Sequence, residues 1–382
     1  MSLYLRAPEA ARRLGVSKPT LYAYVSRGLI ERRAGPDGRS SLYAAEDVER
    51  LRSRARRAPS RPLPTIDVQI ASAVTRLDDE TVRYRGHDVT ELARTATFEQ
   101  AAELLWTGSL PTAPVRWPTP AADDVTAARA AVALAPEAAP LARLLTVSAV
   151  VGARHPDDDA PTAARRLIGV VADLDRAHRG SIADRLARSW RPGAPAVLRA
   201  AVDRALVLLA DHELATSTLA VRAAASVRAP APACLAAGLA TVAGRLHGSA
   251  AAGTHALLVE AATSSPAAAV ARRIERRERL PGFGHSVYRT GDPRLEPLLD
   301  AVRTLPDPDD RLAVVDAVRL HAGSRVAIQP NVDFGLAALA FVGGLDPDVP
   351  LFAVARLAGW AAHVVEEETE RPVRFRGLST PP

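Results

Sequence analysis

Five short stretches of the chain hold side chains able to move protons. Four contain a histidine: Leu209-Ala210-Asp211-His212-Glu213, Gly244-Arg245-Leu246-His247-Gly248, Pro281-Gly282-Phe283-Gly284-His285 and Gly359-Trp360-Ala361-Ala362-His363. The fifth, Pro330-Asn331-Val332-Asp333-Phe334, puts one acid into an otherwise apolar run. Imidazole exchanges protons near neutral pH, and a carboxylate can serve as a base. Taken singly, each has a structural explanation: a satisfied core histidine, or an aspartate that caps a helix or is hydrogen-bonded in the core. Gathered around one cleft, they would form an acid–base set, so the elements that carry them decide the matter.

Those elements read as helices. Alanine, the best helix former, dominates 122–140 and 195–225. Segments 98–107, 124–134, 141–151, 163–176, 196–212 and 217–226 place apolar residues three and four apart, and prolines at 111–120 and 228–232 separate them. The one legible pairing of strands is a small hairpin of 68–75 with 81–85 around the polar turn Asp78-Asp79-Glu80. With 382 residues, 48% hydrophobic and only 4% aromatic, the chain can bury a large core and is expected to be all-α. Cys234 is the only cysteine, which excludes an internal disulfide and a cysteine-based metal site, and no metal is called for. No apolar run reaches the roughly 20 residues that span a bilayer, and 1–9 lack a signal pattern. A cytoplasmic protein without a membrane partner is expected.

The net charge of +6 is not evenly spread. Fourteen of the 49 basic and six of the 43 acidic side chains fall in 1–62, which carries +8 while the remainder carries −2. A basic, proline-containing stretch at 52–64 reads as the tail of a helix running into a linker, here placed at 57–64. Ahead of it, 7–15 reads as a short helix closed by Gly15. A second helix runs over 18–27, with Ser17 as its N-cap and Pro19 in its first turn. Leu21 and Val25 then face Ala10 and Leu14, leaving Lys18, Thr20, Tyr22 and Tyr24 around the exposed side. Arg32, Arg33, Gly35, Gly38 and Arg39 suit a turning wing, and 43–54 a closing helix. The run GVSKPTLYAYVSRGLI resembles the excisionase or MerR-type helix-turn-helix domain, placed at 1–56. The resemblance implies DNA contact through Lys18, Thr20, Tyr22 and Arg27, in a dimer, because one copy reaches few phosphates. A relic or a docking module that kept the fold is the alternative.

Beyond the linker, LHGS, GFGHSVYRTGDPR and NVDF follow one another in the order and approximate spacing of the catalytic blocks of citrate synthase. ADHELATST resembles that family's substrate-histidine block, and VRYRGHDVTEL with FEQAAELLWTGSLP its entry segment. The resemblance spans roughly 66–376. It implies that Asp333 removes a proton from the acyl thioester, that His247 donates a hydrogen bond to the thioester oxygen, and that His285 polarises and protonates the keto carbonyl. It further implies that His212, Arg294, Arg356 and Arg371 hold a dicarboxylic keto acid, arginine suiting carboxylates through its planar fork. Arg371 would come from the neighbouring subunit of a homodimer with shared active sites. Gly282, Gly284 and Arg289 would receive coenzyme A, a thioester substrate rather than a resident cofactor; no cofactor is implied. Leu209, Ala215, Arg245, Ser286 and Gly335 depart from common family choices.

The expected architecture is a citrate synthase-like large helical domain, 65–247 with 341–382, and a small helical domain, 248–340, preceded by the small winged helix-turn-helix domain. The expected reaction joins acetyl-CoA to oxaloacetate to give citrate and CoA. Use of propionyl-CoA by a 2-methylcitrate synthase is the near alternative. A catalytically silent, DNA-binding sensor of a CoA ester or keto acid is the alternative of another class, and an active enzyme whose DNA-binding domain reports substrate occupancy would combine the two.

Overall fold

The computed structural model describes residues 4–14, 16–26, 29–35, 40–45, 47–48, 70–78, 80–244, 250–276, 278–285, 287–288, 290–325 and 328–375. Two compact units divide at Met1–Ile70 and Ala71–Pro382. The expected linker at 57–64 lies outside the described residues.

In the first unit, β1 (Tyr4–Arg6) leads into α1 (Ala7–Leu14) and α2 (Lys18–Ser26), followed by β2 (Arg32–Ala34) and β3 (Ser41–Ala44). The strands form one antiparallel sheet in the order β1-β3-β2, with Leu5 opposite Tyr43 and Arg33 opposite Leu42. Ser17 Oγ accepts from the Thr20 amide at 3.4 Å and its carbonyl from the Leu21 amide, so the second helix starts where a hydroxyl can satisfy its first donors. Leu21, Ala10, Leu5, Ile30 and Tyr43 close the core, with Leu14 and Val25 against it. Two expectations are corrected. Tyr24 packs on this core instead of facing out. Tyr43 and Ala44 belong to a strand, because Tyr43 is fully buried between β1 and β2, and helix begins only at Ala45.

The second unit opens with β4 (Thr75–Leu77), β5 (Val82–Tyr84) and β6 (His87–Asp88), an antiparallel meander. The expected hairpin exists, but its first strand is Thr75–Leu77; 70–74 are not strand, and 68 and 69 lie outside the described residues. Asp78 explains the shift: its Oδ1 accepts from the Glu80 and Thr81 amides and its Oδ2 from the Thr81 hydroxyl, a side-chain-closed turn that leaves only the flanking triplets in register. Helices follow in order: α3 (Val89–Thr95), α4 (Phe98–Thr107), α5 (Ala122–Ala133), α6 (Pro140–Arg154), α7 (Ala160–Ala172), α8 (Ile182–Trp190), α9 (Ala196–Leu209), α10 (Thr216–Ser226), α11 (Ala231–Val242) and α12 (Ala250–Thr263). After these come α13 (Pro266–Glu275), α14 (Leu295–Val302), α15 (Arg311–Gly323), α16 (Val332–Gly343) and α17 (Leu351–Glu368). The expected segment 163–176 stops at Ala172, since Arg129 takes the carbonyls of Asp173 and Leu174 and Arg185 pairs with the Asp173 carboxylate. The segment 196–212 stops at Leu209, freeing Asp211 and His212 from helical geometry.

Two packing centres position the site. Helix α17 is apolar on nearly every side and packs against α4, α7, α9, α10 and α11. Trp360 is fully buried within it, and Trp106, stacked on Trp117, donates its indole N–H to the Ala358 carbonyl at 2.8 Å. Helix α16 is the second centre, contacting α12, α14 and α15. Every residue of α16 is buried except Asp333. Such all-round burial is the mark of a core helix, and it makes the lone carboxylate, itself half-buried, conspicuous.

Candidate active site

A cavity of about 600 Å³ opens where the two packing centres meet, and His212, His285, Arg294, Asp333 and Arg356 all line it. Five of the residues singled out from sequence therefore converge. His247 and Arg289 lie outside the described residues, although Gly244, three residues before His247, is part of the cavity wall.

His285 sits on the loop before α14, and its Nδ1 accepts from the amides of Val287 and Tyr288 at 3.1 and 3.3 Å. With Nδ1 occupied as acceptor, the neutral ring carries its proton on Nε2. Burial, and then the Arg294 charge, push its pKa below the usual histidine value, so this neutral tautomer is the resting form. His212 is depressed much further, by burial and then by Arg294, Arg356 and His285. Its Nε2 meets the Tyr288 hydroxyl at 3.0 Å, and the Tyr288 ring stacks on His285 with centroids 4.5 Å apart. Sequence reasoning missed Tyr288, although it lies only three residues beyond His285 in the same motif.

The cations are held differently. Arg294 is 2% exposed and forms a two-pronged pair with Asp292, Nε to Oδ1 at 2.9 Å and Nη2 to Oδ2 at 2.8 Å. Asp292 Oδ2 also accepts from the Val332 amide at 3.0 Å, tying this pair to the start of α16 beside Asp333. Burial would raise the Asp292 pKa, but Arg294 and the donated amides outweigh it and keep the carboxyl ionised. Arg356 is 1% exposed, its guanidinium lies 4.7 Å from the Phe352 ring centroid, and its Nε has no hydrogen-bond partner among the described residues. A buried guanidinium placed against a cavity can bind an anion.

Asp333 follows the N-cap Asn331, whose Oδ1 accepts from its amide at 3.0 Å. Burial raises its pKa above the ordinary carboxylate value, with Asp292 adding to the rise and Arg294 opposing it. The cavity thus juxtaposes a strengthened base, a neutral imidazole with its proton on Nε2 and two buried guanidinium groups. That set can take a proton from carbon, donate to a developing oxyanion and bind carboxylates.

The turn bearing His212 is fixed from behind. Asp211 is fully buried; its amide and carbonyl engage the Tyr84 hydroxyl at 3.0 Å, and its carboxylate faces His363 Nε2 at 3.4 Å. His363 Nδ1 meets Arg222, which pairs with Glu366 and Glu367, and Arg374 closes on Glu367 from the chain end. His363 is thus a core histidine. Gly359 makes the close approach possible: its amide donates to the Ala210 carbonyl at 3.0 Å, and a Cβ there would stand 2.3 Å from Asp211 Oδ1.

Other expected site residues fall elsewhere. Arg371 is exposed and does not line this cavity. At Gly282, φ is +77° and a Cβ would meet Thr254 Oγ1 at 2.5 Å and the Phe334 backbone at 3.2 Å, so the space a side chain would take there is filled by protein. At Gly284, φ is +82° and the space where a Cβ would point is open, beside a separate pocket of about 240 Å³. In the first unit Lys18 is exposed and Tyr22 half-exposed, Thr20 shares a 2.9 Å hydrogen bond with Ser17, and Arg27 lies outside the described residues. Among the described residues no group of three or more His, Cys, Asp or Glu is placed to hold a metal ion, and no helix is long and apolar enough to cross a membrane.

Comparison with known proteins identifies the family. The family described as "Citrate synthase, C-terminal domain" matches 67–376, and "Helix-turn-helix domain" matches 4–56. Citrate synthase 2 of Bacillus subtilis is 28% identical over 356 residues, covering 82% of this chain and 94% of that protein. The 2-methylcitrate synthase of Mycobacterium tuberculosis is 27% identical over 331 residues, covering 78% and 84%. The crystal structure of citrate synthase from Pyrobaculum aerophilum superposes with a TM-score of 0.71 at 24% identity, covering 82% of this chain and 91% of that one, a likeness of fold. Across more than four-fifths of its length, then, the chain belongs to the citrate synthase family, a citrate synthase-type transferase that carries a helix-turn-helix domain before it in sequence.

Proposed function

We propose that the cavity condenses an acyl-CoA thioester with a dicarboxylic 2-keto acid, acetyl-CoA and oxaloacetate giving citrate and CoA, with propionyl-CoA as the near alternative. The observation that carries this reading is the pairing of two buried guanidinium groups with a carboxylate of raised pKa and a neutral imidazole in one cavity. Arg294, Arg356 and His212 hold the keto acid's carboxylates. Asp333 removes the α-proton of the thioester while His247, assigned by its motif, hydrogen-bonds the thioester oxygen. The new carbon–carbon bond forms as the keto oxygen takes the proton of His285 Nε2, and water then cleaves the thioester, releasing the thiol. Gly284 and Arg289 belong to the CoA site, and Gly282 supports it through the packing of Phe334.

The enzyme is a homodimer, and Arg371 of the partner subunit completes the keto-acid site, in keeping with the exposure of this residue in a single chain. Segment 248–340 acts as a small domain that closes on 65–247 and 341–382 and excludes water before the proton is taken. Residues 1–56 bind DNA, Lys18 and Tyr22 being presented outward, and the protein is cytoplasmic.

Thiol release from acetyl-CoA and propionyl-CoA with oxaloacetate tests the reading. Asp333→Ala abolishes release while keto-acid binding, followed by calorimetry, survives; loss of both makes Asp333 structural. Absence of turnover with either thioester, together with salt-sensitive binding to a specific duplex, replaces the enzyme with a sensor.

A further inference from the structure

A second cavity, about 300 Å³, adjoins the first, and Gly244 and Phe352 line both. Its volume is on the order of ten waters in the liquid. The two are aligned along one helix face. Asp333 points into the reaction cavity, while Leu336, Ala337 and Ala340, at three, four and seven residues beyond it, line the neighbouring one. Residues at those spacings lie one above another on a helix. The wall is mostly apolar, with Ala252 opposite from α12, and His255 and Asp348 are its ionisable members. Phe352, one turn before Arg356 and under its guanidinium, stands between the arginine and the second cavity.

Building on the reaction proposed above, we infer that the second cavity receives the alkyl chain of acyl-CoA thioesters longer than acetyl, so that the enzyme accepts medium-chain acyl groups. Asp333 takes the proton from the α-carbon, so whatever is attached to that carbon must leave the reaction centre along a surface next to Asp333. One such surface is the apolar face of Leu336, Ala337 and Ala340, with the second cavity behind it. The balance of the reaction is unchanged by chain length: the α-carbon loses a proton to Asp333 and bonds to the keto carbon, the keto oxygen gains a proton, and water splits the thioester into carboxylate and thiol. The product is a citrate bearing an alkyl substituent.

The test is thiol release with straight-chain thioesters from acetyl-CoA to octanoyl-CoA at saturating oxaloacetate. kcat/KM is expected to rise roughly fourfold for each of the first few methylenes that enter the cavity, then to fall once it is full. Ala340→Leu, which fills the groove, lowers kcat/KM for butyryl- and hexanoyl-CoA tenfold or more and changes the acetyl value less than twofold; Ala252→Leu does the same from the opposite wall should the first variant fold poorly. A kcat/KM that declines from acetyl onward, or filling variants that scale all thioesters equally, overturns the chain-length inference alone. No release with any thioester overturns the enzymatic reading beneath it.

Discussion

Replacing Asp292 by asparagine would expose how much of the site is held by one buried charge. The carboxylate accepts four hydrogen bonds: from Arg294 Nε, Nη2 and backbone amide, and from the Val332 amide. Asparagine keeps the shape but brings only one acceptor atom, so in either amide orientation its NH2 group faces donors. Arg294 is then a buried cation without its counter-charge, a loss worth about 3–5 kcal/mol. For a unit of this size that corresponds to a fall in Tm on the order of 5–10 °C. Thermal denaturation of the full chain measures it, alone and with Arg294→Met in the same molecule. The double variant should recover most of the loss, because removing the stranded cation removes the penalty. Saturating oxaloacetate should raise the Tm of Asp292→Asn more than that of the unsubstituted chain, its carboxylate standing in for the missing one. A loss under about 1 kcal/mol, or a double variant no more stable than the single one, would refute the assignment of Asp292 as the charge that holds Arg294.

Asp203, which accepts from the Phe98 amide, has its pKa pushed up to about 7 by burial, with Glu99 and Asp184 adding to the rise. The folded value lies above the unfolded one near 3.9, so stability is fullest below that pH and falls until about pH 7; Asp203→Asn should gain little at pH 4 and roughly 2–4 kcal/mol at pH 8, read by urea denaturation. Gly359→Ala should cost about 1–3 kcal/mol and also lower kcat/KM, since the new methyl displaces the Asp211–His212 turn; an unchanged kcat/KM would mean that turn adapts freely. Ala215 occupies the N-cap of α10 without a side-chain hydrogen bond, so Ala215→Asn should add about 1 kcal/mol, visible as a higher Tm.

Much of the fold was legible where a helix has one wet face. The segment 98–107 coincides with α4, and five other periodic segments fall on helices within a few residues of their ends. Helices α16 and α17 were not delimited in advance, because burial on every side removes the periodic contrast that marks a helix. The front sheet was half read: basic residues and glycines pointed to a wing, but a three-residue β1 leaves too short a pattern to see. At the site, motifs located His212, His285, Asp333, Arg294 and Arg356 because each stands in a distinctive local string. They could not reveal Tyr288 as the partner of His212, nor Asp292 as the anchor of Arg294, since those roles depend on how the loop folds back on itself. Nor could they distinguish Gly282 from Gly284, two glycines of similar backbone conformation that differ in what lies opposite them.

All four tryptophans, Trp106, Trp117, Trp190 and Trp360, belong to the larger unit, whereas the helix-turn-helix unit carries tyrosines only. Excited at a wavelength that tyrosine does not absorb, the emission of this protein therefore reports the enzymatic body by itself. Tryptophan emission follows the melting of the larger unit in the intact chain, and tyrosine absorbance is weighted toward the other, which holds four of the six tyrosines, Tyr4, Tyr22, Tyr24 and Tyr43. A DNA duplex added to the sample should then reveal whether occupancy of the first part is felt by the second.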